Sequence, residues 1–269
     1  MPTMRHVVES YCLSRELKKS TEIYYRRVLS VFSRWLGRVP ESEEFTPDLV
    51  SRFLAAKQHD NRSAYYRKSL RNGLRALLAH AGRDIPRGKL RSVKLTPLEP
   101  AAWSESEVAK LVAASDVIHE SDAERRQYMR TLILAAYYTG MSQIDLHRLS
   151  RSSIAPNGVV RYVRSKTGKP VVTAMPVELI PQLPAGDPIW PLRVSPELFR
   201  RRFAVIVRLA GLSGSFKTLR KSSGTGVELL FPGRGHEHLG NSRKVFETHY
   251  LARDAASVTP MLPRIVPSA

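Results

Sequence analysis

Cysteine is nearly missing from this sequence: Cys12 is the only one in 269 residues. One thiol can form neither an intramolecular disulfide nor a cysteine-based metal cluster. Its apolar neighbours in VVESYCLSREL describe the surroundings of a buried, unreactive thiol. Long hydrophobic runs are missing as well. No stretch of about 18 apolar residues occurs, which leaves no candidate membrane-spanning helix. The opening MPTMRHVVESYCLSREL lacks the long apolar segment of a secretory signal. These absences predict a soluble, intracellular, cytoplasmic protein with no membrane partner. Repeats with a period of roughly 20–50 residues are absent too, which excludes solenoids and propellers. Negative charge is the last thing in short supply, with 24 acidic residues against 43 Lys and Arg.

What is present follows from that imbalance. The net charge is +19 and the sequence pI is about 10.4. Such a surplus repels itself unless an anion neutralises it, and nucleic acid is the leading partner. The hydrophobic share of 42% belongs to a globular protein, and the length allows one large or two ordinary domains.

Along the chain, residues 5–82 read as helical. In KKSTEIYYRRVLSVFSRWLG, Ser20 or Thr21 offers a cap, and Tyr24, Val28, Leu29, Phe32, Trp35 and Leu36 share one face. Thr46 before Pro47 marks another helix start. In NRSAYYRKSLRNGLRALLAHAG an apolar stripe of Leu70, Leu74, Leu77 and Leu78 alternates with Arg67, Lys68, Arg71 and Arg75. A small helical bundle with basic outer faces is therefore expected over residues 1–90, followed by a basic linker over 91–103 with a boundary near 98. Ser104 with Glu107 is a capping box that opens a second domain over 104–255. There the period changes: VVRYVRS and PVVTAMP flank the turn KTGK, giving a hairpin or a three-stranded sheet. The fold class is mainly α with this small antiparallel β element. Residues 256–269 form a proline-rich tail.

Four stretches line up in order: YYTGMSQIDLHRL, RSKTGKPV, FKTLRKSSGT and HLGNSRKVFETHY. Together they resemble the tyrosine recombinase (phage integrase) family. In that family a TG-x-R-x-x-E/D-L turn precedes a lysine-bearing hairpin and an H-x-x-R motif. A G-H/W motif then stands nine residues ahead of the nucleophilic tyrosine. Each motif alone is weak, but four in order with the last spacing kept form a strong joint signal. The front helices match the family's core-binding domain, so the resemblance spans nearly the whole chain.

The resemblance implies site-specific DNA breakage and rejoining through a 3′-phosphotyrosine. Cations must neutralise the non-bridging oxygens as charge redistributes in the transition state. A tyrosine hydroxyl, with a pKa near 10 when free, attacks phosphorus, and the covalent intermediate conserves bond energy for religation. No metal or cofactor is implied. Carried over, Tyr250 is the nucleophile; its plain alternative is a packed aromatic on a terminal helix. Lys166 is the general acid for the 5′-oxygen, with Lys169 as alternative. Arg220 clamps phosphate, and Asp145 orients neighbouring cations. Three positions depart from the pattern: Ser142 stands for the first arginine, Lys217 for histidine and Asn241 for the ring donor. Lysine keeps a cation and asparagine keeps an amide donor. Serine removes a full charge, a loss on the order of 10²–10³-fold in rate, with Arg148, Arg151 or Arg130 as candidate replacements.

The resemblance also implies a C-shaped clamp on double-stranded DNA, monomeric when free and tetrameric on synapsed sites. Phosphate contacts are expected from Arg67, Lys68, Arg71, Arg75, Lys89, Arg91, Lys169 and Arg200, with only one or two of Arg200, Arg201 and Arg202 reaching DNA. Tyr65 and Tyr66 are candidates for sugar or base contacts. Met261, Leu262, Ile265 and Val266 in the tail are candidates for a contact with a neighbouring protomer. Two other functions compete: a DNA-binding homologue that has lost cleavage, and a type IB topoisomerase-like relaxation of DNA. A basic structural protein with no site is the remaining reading.

Overall fold

Apolar periodicity and local capping account for most of the backbone. A computed structural model describes residues 2–60, 62–85, 88–90, 92–95, 101–119 and 121–251. The chain divides into two units, Met1–Pro97 and Leu98–Ala269.

The first unit holds α1 (Met4–Ser14), α2 (Lys19–Leu36), α3 (Pro47–Ala56) and α4 (Ala64–His80). α2 buries Val28, Leu29 and Phe32, with Tyr24, Trp35 and Leu36 partly covered beside them. It begins one turn earlier than its hydroxyl residues suggest. Lys18 is the cap residue, so Ser20 and Thr21 lie inside the first turn, and the Thr21 amide donates to the Lys18 carbonyl at 2.7 Å. α3 starts as expected: Thr46 Oγ1 accepts from the Leu49 amide, and Pro47 occupies the first position, where no amide is needed. α4 buries Leu70, Gly73, Leu74, Leu77 and Leu78. Gly73 lets α2 come close, since a Cβ there would lie 2.8 Å from Val28 Cγ2. Phe32 packs edge-to-face on Phe45 at 5.2 Å and on Phe53 at 5.0 Å. Each fully buried side chain of this kind contributes about 1.5–3 kcal/mol. Cys12 is only half-buried, because the neighbouring α1 positions Val8 and Tyr11 take the inward face. Burial, then the Glu22 carboxylate, raises its thiol pKa.

In the second unit the Ser104 capping box forms as expected. Glu107 donates its amide to Ser104 Oγ at 3.3 Å and accepts the Ser104 amide at 2.7 Å. It opens α5 (Glu105–Ile118), followed by α6 (Ala123–Thr139) and the single turn α7 (Gln143–Leu146). α6 is central, burying Met129, Thr131, Leu132, Ile133, Ala135, Ala136 and Thr139. Gly140 ends it in the left-handed conformation at φ 61°. Strands β1 (Val159–Val163) and β2 (Pro170–Ala174) pair antiparallel, Val159 opposite Ala174 and Val163 opposite Pro170. Of the two sheet readings the hairpin forms; the further pairing is an isolated bridge, Ile154 with Val160. Then come α8 (Pro196–Leu209), α9 (Phe216–Leu230), α10 (Gly235–His238) and α11 (Arg243–His249). The core gathers Leu132, Ile133, Trp190, Phe199, Phe203 and Leu219. Trp103, placed in the linker on sequence grounds, is buried in this second core and donates its indole N–H to the Ser213 carbonyl at 3.0 Å. The architecture is thus mainly helical with one two-stranded antiparallel sheet. Among the described residues no helix is long and apolar enough to cross a membrane.

Candidate active site

The site is built around α9. Lys217, Arg220, Lys221, Gly224 and Thr225 follow the helical repeat and share a face. Arg220 is 3% exposed, and a guanidinium so buried must be fully engaged. Its Nη1 donates to the Gly140 carbonyl and its Nη2 to the Leu239 carbonyl at 2.6 Å. Two chain reversals, after α6 and after α10, are therefore pinned to one charge.

Tyr250 arrives from α11. Phe246 anchors that helix where α9 and α10 both present glycine: a Cβ on Gly224 would lie 2.9 Å, and one on Gly235 2.5 Å, from the Phe246 ring. Tyr250 ends α11 with its amide bonded to the Phe246 carbonyl at 2.9 Å, and Thr225 Oγ1 donates to the Tyr250 carbonyl at 3.2 Å. The ring then faces two cations. Arg220 Cζ and Lys217 Nζ each lie 5.3 Å from its centroid. Burial pushes the phenol up, but Arg220, Lys217 and Arg164 together overrule it and hold its pKa below the ordinary 10. Burial and Lys217 push the Lys221 ammonium down.

Arg164 reaches the same place from the end of β1. Its Nη1 donates to the Gly240 carbonyl at 2.7 Å and to Asn241 Oδ1 at 3.0 Å. Tyr162 and Arg164 are two residues apart on an extended segment, so they project to one side. Burial raises the Tyr162 phenol pKa, with Arg220 and Asp145 close enough to act on it. The Tyr162 hydroxyl, Arg164 Nε and Asn241 Nδ2 are buried without a hydrogen-bond partner. Arg164 and Asn241, bonded to each other through Asn241 Oδ1, together offer two such N–H donors, a lining that suits an anionic oxygen.

The remaining candidates take distinct places. Ser142 Oγ donates to Asp145 Oδ2 at 2.6 Å, and Asp145 Oδ1 accepts the Ser165 amide at 2.8 Å. Asp145 is thus held by a hydroxyl and an amide, and it fixes the base of the hairpin turn. Lys166 and Lys169 are exposed on that turn, which closes through the Arg164 amide on the Lys169 carbonyl at 2.9 Å. Of the suggested replacements for the first arginine, Arg130 is bonded to Asp116 at 2.9 Å and Arg151 to the Leu183 and Pro184 carbonyls. Arg148 is exposed. Arg164, which sequence reasoning passed over, is a further arginine whose charge acts on Tyr250 beside that of Arg220. Its only signal was its place two residues before Lys166 in VRSK.

His238 is a second unforeseen neighbour. It accepts or donates at Ser223 Oγ (2.7 Å) and Thr173 Oγ1 (3.3 Å), and burial followed by the Arg220 charge lowers its pKa to about 4. Among the described residues no group of three or more His, Cys, Asp or Glu is placed to hold a metal ion.

On the first unit, Lys68 and Arg75 are exposed one heptad apart on α4. Arg67 is half-buried and donates to the Gln58 carbonyl at 3.2 Å, and Arg71 donates to the Leu90 carbonyl at 3.4 Å. Lys89 pairs with Asp48 at 3.2 Å. Tyr65 is 46% exposed, while Tyr66 is half-buried with the Arg62 guanidinium 5.9 Å from its ring. On α8, Arg200, Arg201 and Arg202 are all exposed, and Arg201 pairs with Glu197 at 3.0 Å. Arg91 and the tail residues Met261, Leu262, Ile265 and Val266 lie outside the described residues.

No family model matches the sequence. Over 181 residues, 62% of this chain, it is 28% identical to the tyrosine recombinase XerD of Ralstonia nicotianae. The match spans 56% of that relative, little more than half its length. A lambda integrase dimer bound to a COC′ core site superposes with a TM-score of 0.71 at 20% identity, covering 98% of this chain and 81% of that one. A lambda integrase tetramer bound to a Holliday junction gives 0.70 at 19% identity over 90% and 78%. The Tn1549 transposon integrase in complex with circular intermediate DNA gives 0.65 at 11% identity over 95% and 97%. The chain therefore has the fold of these integrases.

Proposed function

We propose that this chain is a tyrosine recombinase that breaks and rejoins duplex DNA at specific sites. One observation carries the reading: the Tyr250 ring sits 5.3 Å from both Arg220 and Lys217, with its phenol pKa drawn down. A phenol so placed gives up its proton more readily and faces charges that attract a phosphodiester.

In the step we propose, Tyr250 loses its phenolic proton to solvent, its Oη bonds to phosphorus and the bond from phosphorus to the 5′-oxygen breaks. The DNA 3′ end stays on the enzyme as a phosphotyrosine. The leaving 5′-oxygen takes a proton from Lys166, whose exposed hairpin position suits a donor that meets DNA from outside. Asn241 offers its unpartnered amide N–H to a phosphate oxygen, in place of a ring donor. Attack by the 5′-hydroxyl of a second strand reverses the step and returns the proton, so neither metal nor nucleotide cofactor enters the balance. Exchange between two sites requires four such centres, hence a homotetramer on synapsed DNA formed from free monomers.

Nicked suicide substrates carrying the candidate attachment site test this on a denaturing gel. A covalent protein–DNA adduct, lost in Tyr250→Phe, is expected. An adduct that persists in Tyr250→Phe would overturn the assignment. One observation favours a second reading, binding without cleavage: position 142 carries a serine engaged with Asp145. Tight binding with no adduct, restored by Ser142→Arg, supports that reading instead.

A further inference from the structure

We propose that Arg164, at the end of β1, is the residue that supplies the cationic phosphate contact missing at Ser142. The inference rests on the reading of Tyr250 as the nucleophile. Four observations converge on it. Arg164 is tied to the Gly240 carbonyl and to Asn241 Oδ1, so its guanidinium is held against the loop between α10 and α11 that leads to Tyr250. Its Nε is buried with no hydrogen-bond partner, which leaves a charged donor available to an incoming oxygen. Its charge reaches both phenols of the site, Tyr250 and Tyr162. Finally, Ser142 and Arg164 are linked through one carboxylate: Asp145 takes the Ser142 hydroxyl on one oxygen and the Ser165 amide on the other. The carboxylate next to the vacated position therefore positions the backbone that carries Arg164. A positive charge lost from the turn after α6 is regained from the adjoining hairpin.

The alternative is a scaffolding role, in which Arg164 only holds the loop at Gly240 and Asn241. Charge separates the two, because glutamine retains an amide donor for the loop while losing the cation. The probe is inorganic phosphate, titrated into the full chain carrying ¹³C-labelled tyrosine, with the Tyr250 ring signal assigned by Tyr250→Phe. Arg164→Gln and Arg164→Ala are expected to bind phosphate about tenfold more weakly or worse. Their Tyr250 signals should titrate at higher pH than the wild type. Arg164→Lys should stay close to wild type, and Ser142→Arg should restore phosphate affinity to Arg164→Ala. If Arg164→Gln binds phosphate as the wild type does and leaves the Tyr250 titration unmoved, the role is scaffolding and the proposal is wrong. Should Arg164→Ala unfold, the comparison of Gln with Lys decides alone. Adduct formation on suicide DNA is scored separately: an adduct surviving Tyr250→Phe removes the nucleophile assignment, whatever the phosphate titration gives.

Discussion

At the scale of single residues, the site is governed by how charge acts on two titrating rings. The Tyr250 phenol lies below its ordinary pKa because Arg220, Lys217 and Arg164 outweigh its burial. Adduct formation should therefore rise with pH up to that lowered value. Lys217→Ala should move the midpoint upward and slow the step at neutral pH by on the order of 10²-fold, read from a pH–rate profile. His238 supplies a separate test, on stability. Its pKa falls to about 4 from 6.5, through burial and the Arg220 charge. Above 6.5 both folded and unfolded rings are neutral and stability is whole. Between 6.5 and about 4 only the unfolded ring binds a proton, and stability falls by up to about 3 kcal/mol. In urea titrations at pH 7 and pH 4.5, His238→Asn should lose less stability between the two than the wild type does. The spacing of Tyr250 from LGN was legible in the sequence because it is a chain property. Arg164 and His238 were not, because their partners are 76 and 15 residues away.

At the scale of elements, α11 delivers Tyr250 only because α9 and α10 leave room for Phe246. At Gly224 a Cβ would lie 2.7 Å from Leu239 Cδ1 and 2.9 Å from Phe246 Cε2. Gly224→Val should force both aside, cost about 1–3 kcal/mol, and abolish adduct formation while the first unit keeps its helicity. Thermal unfolding and the suicide-substrate gel together check this. The helices were readable from period and caps: Thr46–Pro47 and the Ser104–Glu107 box appear where the sequence put them. The start of α2 was not, since Lys18 precedes it in extended conformation and no hydroxyl caps it. The choice of a two-stranded hairpin over a third strand was also open in sequence. Short β-rich runs do not say which neighbour they pair with.

At the scale of the whole molecule, a net charge of +19 dominates. Binding to duplex DNA should weaken by about 10³–10⁵ between 50 and 200 mM salt if some 6–10 phosphates are contacted. Of the cations proposed on α4, only some are free for that work. Lys68→Ala and Arg75→Ala should each lower the slope of affinity against salt by about one, without unfolding. Arg67→Ala should instead lower stability, because its guanidinium is partly buried against the Gln58 carbonyl. Fluorescence anisotropy across a salt series, paired with thermal melts, separates the two behaviours.

The sequence by itself determined the helical character, the basic surface and the tyrosine at the end of an ordered series of motifs. Each of these is a matter of composition or of spacing along the chain. Only the tertiary structure decided which cations meet Tyr250. Arg220 had to be buried between two carbonyls of distant turns, and Arg164 had to cross from a hairpin to the loop at Gly240 and Asn241. The physical reason is that a phenol's acidity depends on charges within a few ångströms in space, and linear order fixes none of those distances.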